Sequence, residues 1–214
     1  MKSNKHIPYP ENRLHLDKFL DNPLDQFVLW YQAYEKRADY PGLETNAMTL
    51  STVGENSRPH SRIVLMKDFT PDGLVFYTNY HSQKGNDIAS NPFASALFWW
   101  STVFQQIRIE GRIKKIPDVI SDEYFESRPL GSQVAALVSK QSAVLTSKDK
   151  LLTAYDNYIK QHDQSRRVPR PAHWGGYYLI PDRYEFWQGS SNRLHDRIVY
   201  TLDQNTWSKT RLYP

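Results

Sequence analysis

The chain has 214 residues, enough for one substantial hydrophobic core and short of a secure count of two domains. It contains 27 Lys and Arg against 23 Asp and Glu, and this net charge of +4 is too small to indicate a nucleic-acid partner. There is no cysteine, which excludes disulfides, thiolate nucleophiles and Cys-ligated metal sites.

Residues 1–20 show no clean hydrophobic periodicity and are predicted to form a flexible arm before a single domain over 21–214. The arm contains no apolar run typical of a secretory signal. The most apolar stretch, 94–100, is much shorter than the ~20 residues that a membrane span requires. We therefore expect a cytoplasmic protein with no membrane partner.

A helix is predicted to begin near Asp21 or Asn22, because Pro23 suits a first helical turn. Its apolar face would consist of Leu24, Phe27, Val28 and Tyr31. Strands are then predicted at 46–53, 61–68, 74–79, 93–100 and 105–113. The second and third of these strands are separated by Pro71-Asp72-Gly73, which is typical of a turn.

The second half of the chain is predicted to contain helices and then further strands. The helices fall at 117–127, 132–140 and 147–162, and the strands at 177–180, 183–188, 194–202 and 206–212. The sequence therefore predicts an α+β fold, in which antiparallel strands close into a barrel and the helices lie at its periphery.

The glycines form no G-x-G sequence, so neither a dinucleotide-binding fingerprint nor a phosphate-binding glycine loop is present. A phosphorylated ligand would have to be held by cationic and hydroxyl side chains. One candidate cluster is the apolar strand Arg62–Lys67, which has a cation at each end; strand alternation predicts that the two cations lie on opposite faces. A second combines Tyr77 and Thr78 with a loop at 82–84 that contains Gln83 and Lys84.

The segment 187–197 is a more specific candidate. An extended backbone would send Arg193, His195 and Arg197 to one side, where three cations repel each other unless an anion or an electron-rich ring lies between them. The alternative is a solvated edge strand. A fourth cluster follows a predicted helix, in which Tyr124 and Arg128 share a face and Ser132 would cap the next helix beside a phosphate; a plain cap with an exposed Arg is the alternative.

Together these segments resemble the pyridoxamine 5′-phosphate oxidase family over about residues 20–214. The most specific motifs are RIVLMK (62–67), FYTNYHSQK (76–84), YFESRPLGSQ (124–133), SKQS (139–142) and FWQGSSNRLHDR (186–197). The resemblance implies an FMN-binding split barrel that forms a homodimer with two flavins at the subunit interface, and no metal. It also implies that O2 oxidises pyridoxamine and pyridoxine 5′-phosphate to pyridoxal 5′-phosphate, with release of H2O2 and, from the amine, ammonia.

Carried over residue by residue, the resemblance implies a set of FMN contacts, a set of substrate contacts and two catalytic residues. The FMN contacts would be Arg62, Ile63, Val64, Leu65, Met66, Lys67, Tyr77, Thr78, Gln83, Lys84, Gln106, Gln141, Ser142, Trp187 and Arg197. The substrate contacts would be Lys67, Tyr124, Arg128 and Ser132 at the phosphate, Arg193, Leu194 and His195 over the ring, and Tyr9 as a cover. Arg193 and His195 would be catalytic, orienting the ring and assisting proton transfer at the 4′ substituent.

Two positions depart from the family pattern. Gln83 stands where many relatives carry Arg, and His6 stands where an arginine is often found. Three alternatives remain open: a split-barrel flavoprotein that acts on another small molecule, a non-catalytic carrier of pyridoxal phosphate, and a basic RNA-binding barrel.

Overall fold

An antiparallel sheet of nine strands dominates the part of the chain that the computed structural model describes, residues 9–37, 44–162 and 167–214. The strands are β1 (Ala47–Val53), β2 (Pro59–Leu65), β3 (Asp68–Thr70), β4 (Gly73–Asn79), β5 (Phe93–Trp100), β6 (Gln105–Lys115), β7 (Trp174–Gln188), β8 (Asp196–Asp203) and β9 (Thr206–Leu212). Neighbouring strands follow the order β2-β1-β5-β6-β7-β4-β3, and β8 and β9 continue beside β7. The predicted α+β fold with an antiparallel barrel is confirmed.

Strand β7 organises this sheet because it pairs with three others. One of its edges pairs with β6, while its other edge pairs first with β4 and then, further along, with β8. The sequence predicted two strands here, at 177–180 and 183–188, and that prediction was wrong. They form one strand because Pro181 lies at a bulge opposite Gly111, where the ladder does not require its missing N–H.

The strands at the two ends of this order, β2 and β3, are joined by only two residues, Met66 and Lys67. The Met66 N–H donates to the Asn46 carbonyl beside β1, and the Lys67 N–H donates to the Val75 carbonyl of β4. The sheet therefore curls until β2 and β3 meet as neighbours. The predicted strand over 61–68 was wrong at its end, because β2 stops at Leu65 and Asp68 begins β3.

The core lies inside the curled sheet and is rich in aromatic rings. The alternate residues Ile107 and Ile109 of β6 point inward and are fully buried, as are Phe98 of β5 and Phe186 of β7. The first helix packs Phe27 against Phe98, with ring centroids 5.3 Å apart. This confirms the predicted half-buried alternation of β6.

Five α-helices lie outside the sheet in the described residues. They are α1 (Pro23–Glu35), α2 (Gln83–Ser90), α3 (Asp118–Ser127), α4 (Leu130–Val138) and α5 (Lys148–Gln161). Helix α1 begins at Pro23, which confirms the predicted start, and the side chain of Asn22 caps it by accepting from the Leu24 N–H. None of the helices in the described ranges is long and apolar enough to cross a membrane.

Two helix predictions near the candidate site were wrong. Residues 82–84 were expected in a loop, but Ser82 is the N-cap of α2, and Gln83 and Lys84 form its first turn. Gly85, a weak helix former, hid this helix in the sequence. Ser132 was expected to cap α4, but the helix begins at Leu130 directly after Pro129, so Ser132 lies in its first turn.

Residues 9–20, the second part of the predicted flexible arm, lie along β8 and β9. A short 3-10 turn covers Leu16–Lys18, and Phe19 is buried in the core. The hydroxyl of Tyr200 donates to the Leu20 carbonyl, and the Lys209 ammonium donates to the Phe19 carbonyl. Residues 1–8, including His6, lie outside the described residues.

Candidate active site

A cavity of about 930 Å³ opens where the two ends of the strand order meet. Its walls come from β2, β4, the first turn of α2, the α3–α4 junction and the loop at 139–142. The predicted site residues that line it are Arg62, Ile63, Val64, Leu65, Lys67, Tyr77, Thr78, Gln83, Lys84, Tyr124, Arg128, Ser132, Gln141 and Ser142. Segments far apart in sequence therefore converge on one cavity.

Lys84 forms a cationic end of this cavity. Its ammonium donates to Thr78 Oγ1 at 3.1 Å and to Ser82 Oγ and Gln141 Oε1 at 3.3 Å each, while only 8% of the residue is exposed. All three acceptors are neutral, and no carboxylate of the described residues pairs with it. Burial lowers the pKa of the Lys84 ammonium, and the nearby Arg62 lowers it further. A buried cation without a counterion is suited to bind an anion.

Arg62 lies at the same end and is held from behind by a buried network. Its Nη1 donates to the Leu50 carbonyl at 3.0 Å and to Thr52 Oγ1 at 2.8 Å. The Thr52 hydroxyl in turn donates to Asp87 Oδ2 at 2.6 Å. Burial lowers the pKa of the Arg62 guanidinium, and the Asp87 carboxylate opposes that shift.

Asp87 is a residue of the site that the sequence analysis missed. Its buried carboxylate also accepts from Gln83 Nε2 at 2.9 Å and lies 3.0 Å from His60 Nδ1. Burial alone would raise the pKa of the Asp87 carboxyl, but the hydrogen bonds from Thr52, Gln83 and His60 hold that pKa below its ordinary value. The missed helix α2 hid this contact, because Gln83 and Asp87 are four apart and share a face only in a helix.

Aromatic rings form the other end of the cavity. Tyr77 stacks on Tyr124 with ring centroids 3.8 Å apart, and Trp174 lies parallel to Tyr77 at 5.5 Å. The guanidinium of Arg128 lies over the Trp174 ring, 4.5 Å from its centroid. Burial raises the pKa of Tyr77 to about 12, and the neighbouring Tyr124 contributes to this shift, so both hydroxyls stay protonated as donors near neutral pH.

Arg128 is partly unpaired at this end. Its Nη1 is buried and has no hydrogen-bond partner, and burial lowers the pKa of its guanidinium. Lys67 and Ser132 line the same cavity. An unsatisfied buried guanidinium N–H costs free energy unless a ligand accepts from it. This end therefore also fits an anion.

The cavity residues depart from the sequence expectations in two respects, and Ser142 in addition has an unusual backbone conformation. Met66 does not line the cavity, because its side chain is buried in the core and both of its backbone polar groups bond to Asn46. Arg62 and Lys67 line one cavity although alternation placed them on opposite faces, because β2 ends before Lys67. Ser142 has a φ of 71°, a left-handed conformation that is costly for serine and is often found at binding sites.

The remaining predicted residues form a second group, away from the cavity. Tyr9 packs edge-on against Phe104 and His195, with ring centroids 4.7 and 5.5 Å away, and Trp187 lies 4.7 Å from His195. The Ser190 N–H donates to His195 Nδ1 at 3.1 Å, so a neutral ring carries its proton on Nε2. Burial lowers the pKa of His195, and the nearby Arg193 lowers it further, which favours this neutral form.

The prediction that Arg193, His195 and Arg197 project from one extended strand was wrong. Asn192 and Arg193 both have positive φ, 55° and 60°, in a short turn, and β8 begins only at Asp196. An arginine rarely adopts a left-handed conformation, so the fold holds Arg193 in a strained position.

Arg197 is not a free cation. It forms a two-point bridge to the buried carboxylate of Glu185, with nitrogen–oxygen distances of 2.9 and 3.0 Å. Arg108 reaches the same carboxylate at 2.7 Å. The expected repulsion within the segment is therefore relieved inside the chain by Glu185, a residue that the sequence analysis did not single out.

The two groups lie at different parts of β7 within one chain. Tyr77 of the cavity pairs with Gly176 near the start of β7, whereas Trp187 lies near its end, opposite Gln106. Eleven residues of strand separate Gly176 from Trp187, roughly 35 Å if extended, although curvature shortens this distance. No residue of the second group lines the cavity in a single copy.

The curled antiparallel sheet with a cavity at its junction defines this chain as a split-barrel protein. The family model described as pyridoxamine 5′-phosphate oxidase matches residues 37–158, and the model described as the pyridoxine 5′-phosphate oxidase C-terminal dimerisation region matches residues 174–214. The chain therefore belongs to the pyridoxamine 5′-phosphate oxidase family.

Individual relatives agree with this assignment. The chain is 47% identical over 195 residues to a pyridoxine/pyridoxamine 5′-phosphate oxidase of Mannheimia succiniciproducens, covering 91% of this chain and 90% of the relative. It is 48% identical over 194 residues to pyridoxine/pyridoxamine 5′-phosphate oxidase 2 of Hydrogenovibrio crunogenus, covering 91% and 89%.

Among solved structures, PhzG of Burkholderia lata, in complex with tetrahydrophenazine-1-carboxylic acid, superposes with a TM-score of 0.87. It is 28% identical, and the match covers 95% of this chain and 99% of that one. A pyridoxamine 5′-phosphate oxidase-related, FMN-binding protein of Nostoc punctiforme superposes with a TM-score of 0.73 over 90% and 98% of the two chains. At 16% identity, this second match speaks for the fold alone.

Proposed function

We propose that this chain is an FMN-dependent oxidase that converts pyridoxamine and pyridoxine 5′-phosphate to pyridoxal 5′-phosphate in vitamin B6 metabolism. O2 is the electron acceptor, and H2O2 is released, with ammonia from the amine. The observation that carries the proposal is one cavity with two cationic ends. Lys84 lies at one end and Arg128 at the other, and neither pairs with a carboxylate among the described residues. Two phosphorylated ring systems side by side require such a pair of ends.

FMN would be held non-covalently at the end formed by Arg62 and Lys84. Thr78 and Gln141 already bond to the Lys84 ammonium there, and Ser142 lines the same wall. Gln83 gives its amide to Asp87, so in this conformation it acts by fixing the network behind Arg62. When bound, FMN would supply two-electron chemistry, accepting electrons from the substrate and delivering them to O2.

The substrate phosphate would bind at the aromatic end. Arg128 offers an unused guanidinium nitrogen, and Lys67, Tyr124 and Ser132 add further donors around the same space. This set favours a phosphorylated substrate over an unphosphorylated polycyclic acid. The stacked rings of Tyr77, Tyr124 and Trp174 keep Arg128 in place and exclude water from one side of it.

His195 and Arg193 would act at the reacting end of the substrate. The neutral His195 presents Nε2–H as a donor, because Nδ1 is occupied by the Ser190 N–H. It can hold the 4′ amine or hydroxyl by a hydrogen bond, and Arg193 orients the ring from its strained turn. Leu194, which is largely exposed, and Trp187 with Gln106 would flank the two rings.

We further propose that each complete site is formed by two copies of the chain, with FMN at their interface. Within one copy the cavity and the His195 group lie at different parts of β7, and the His195 group does not line the cavity. The residues of the second group, from Trp187 to Arg197, fall within the family's dimerisation region. The homodimer places this region of one copy over the cavity of the other. The cytoplasmic location stays a prediction.

The test is to purify the protein, record its visible spectrum, and add pyridoxamine 5′-phosphate in air. A yellow protein that forms peroxide and the 4′-aldehyde is expected. Pyridoxamine without the phosphate is expected to react far more slowly, because the Arg128 end then binds nothing. A colourless protein that ignores added FMN would refute the proposal, and a yellow protein that prefers an unphosphorylated substrate would favour another flavoprotein activity.

A further inference from the structure

Asp196 and Arg211 form hydrogen bonds to the two backbone polar groups of Leu14 in the N-terminal arm. Asp196 Oδ2 accepts from the Leu14 N–H at 2.8 Å, and Arg211 Nη2 donates to the Leu14 carbonyl at 2.7 Å. Arg211 Nη1 also bonds to Asp196 Oδ1, which closes the contact into a ring of three groups. We name this arrangement the Leu14 clamp.

The Leu14 clamp lies beside the residues that we assign to the reacting end of the substrate. Asp196 directly follows His195 in the chain and is 9% exposed. Five residues before Leu14, Tyr9 packs its ring against His195, Phe104 and Trp187. The contacts of Lys209 and Tyr200 hold the arm only at Phe19 and Leu20, further from Tyr9. The clamp is therefore the nearest polar anchor of Tyr9 that the described residues contain.

We propose that Asp196 and Arg211 are positioning residues of the oxidase, which act on the substrate through Tyr9. The clamp fixes the backbone at Leu14 so that the Tyr9 ring stays against His195, where it completes the wall of the substrate site. This inference rests on the proposed function and adds to it two residues that do not touch substrate or cofactor. Releasing the clamp leaves the Arg62–Lys84 end of the cavity unchanged, so substrate retention is lost and flavin binding is kept.

The experiment compares Asp196→Asn with the parent holoenzyme by steady-state kinetics and by hydrogen exchange at the Leu14 amide. Asn keeps the size of the side chain but has only one acceptor oxygen, so it cannot accept from both the Leu14 N–H and Arg211, and it carries no charge to pair with Arg211. We expect KM for pyridoxamine 5′-phosphate to rise about tenfold, the scale of one lost charge-assisted hydrogen bond. FMN content and kcat are expected to stay within twofold, and the Leu14 amide is expected to exchange faster.

The matched control is Asp203→Asn, the same substitution at the exposed far end of β8, which is expected to keep the parent KM. Arg211→Gln releases the clamp from β9 and replaces Asp196→Asn if that variant does not fold. Combining Asp196→Asn with Tyr9→Ala tests the route of action. If the clamp works through Tyr9, the double variant has the KM of Tyr9→Ala alone.

Three results would overturn the proposal: an unchanged KM in both clamp variants, a KM effect that multiplies with that of Tyr9→Ala, or a parallel loss of flavin and kcat. The last result would mean that the contact only supports the fold. If the parent binds FMN but oxidises no phosphorylated substrate, the proposed function fails instead. Hydrogen exchange at Leu14 then still decides whether the clamp exists.

Discussion

Replacing Lys84 with Met should weaken FMN binding strongly without lowering the stability of the ligand-free protein. The Lys84 ammonium has three neutral acceptors and no carboxylate partner in the described part of the chain, so the apo protein holds a buried charge that is only partly compensated. Met has a similar length and no charge. We expect the free energy of unfolding of the apo protein to stay the same or to rise by about 1 kcal/mol.

The effect on FMN follows from the bond that the phosphate would gain. A hydrogen bond between two charged groups contributes ~1.5–3 kcal/mol, and each ~1.4 kcal/mol changes a dissociation constant tenfold. The Kd for FMN should therefore rise by roughly 10- to 150-fold in Lys84→Met. Fluorescence quenching of free FMN by titrated apo protein measures this Kd, and thermal unfolding of the apo protein measures stability. Lys114→Met, an exposed lysine of β6, is the control.

The pH dependence has a definite sign. Burial, and secondly Arg62, lower the folded-state pKa of Lys84, so its charge destabilises the apo fold below that pKa. This penalty disappears as the pH rises from the lowered pKa toward the ordinary value of lysine, and apo stability gains over that window. FMN binding needs the ammonium and should weaken over the same window.

A Kd for Lys84→Met within threefold of the parent would refute the assignment of Lys84 to the phosphate.

The other predictions concern the substrate end, the reacting end and the fold. Arg128→Met should raise KM for pyridoxamine 5′-phosphate by roughly 10- to 150-fold, because the substrate phosphate loses the donor Nη1, while the FMN Kd stays within threefold; an unchanged KM contradicts this. Arg193→Leu should lower kcat by at least about tenfold with normal flavin content, since Arg193 would orient the ring, and comparable loss of both would count against that role. Gly73→Ala should reduce the free energy of unfolding by ~1–3 kcal/mol in thermal denaturation, because Gly73 has φ +132° and a Cβ would lie 2.3 Å from the Leu179 carbonyl; an unchanged Tm would show that the turn adapts.

Local patterns in the sequence were sufficient for most of the fold. Asn22 and Pro23 marked the start of α1, and the alternation of Ile107 and Ile109 marked a half-buried strand, because each signal depends only on neighbouring residues. The predictions were wrong where a distant contact overrode the local pattern. Pro181 did not end a strand because a bulge accommodates it opposite Gly111, and the strand after Arg62 ended early because the chain crosses to β4.

The candidate site was predictable as a set of residues but not as an arrangement. The charged and hydroxyl residues of the cavity could be named from motifs, whereas Asp87 and Glu185, which hold two of the named arginines, could not. Their partners come from other elements, so no spacing along the chain indicates them. The separation of His195 from the cavity likewise depends on which part of β7 each strand joins, and this register is absent from the local sequence.

The crossing at Met66 and Lys67 has a consequence for the lifetime of the folded protein. One wall of the cavity depends on the pairing of β1 with β2, which are close in the chain. The other wall depends on the pairing of β4 with β7, in which Val75 lies opposite the distant Tyr178. Such long-range pairing is slow, so the walls come together late in folding. A molecule that touches both walls meets its full set of contacts only in the finished barrel. Such a molecule slows unfolding and has little effect on the rate of folding. In cells short of flavin, this protein would therefore be degraded by proteases sooner.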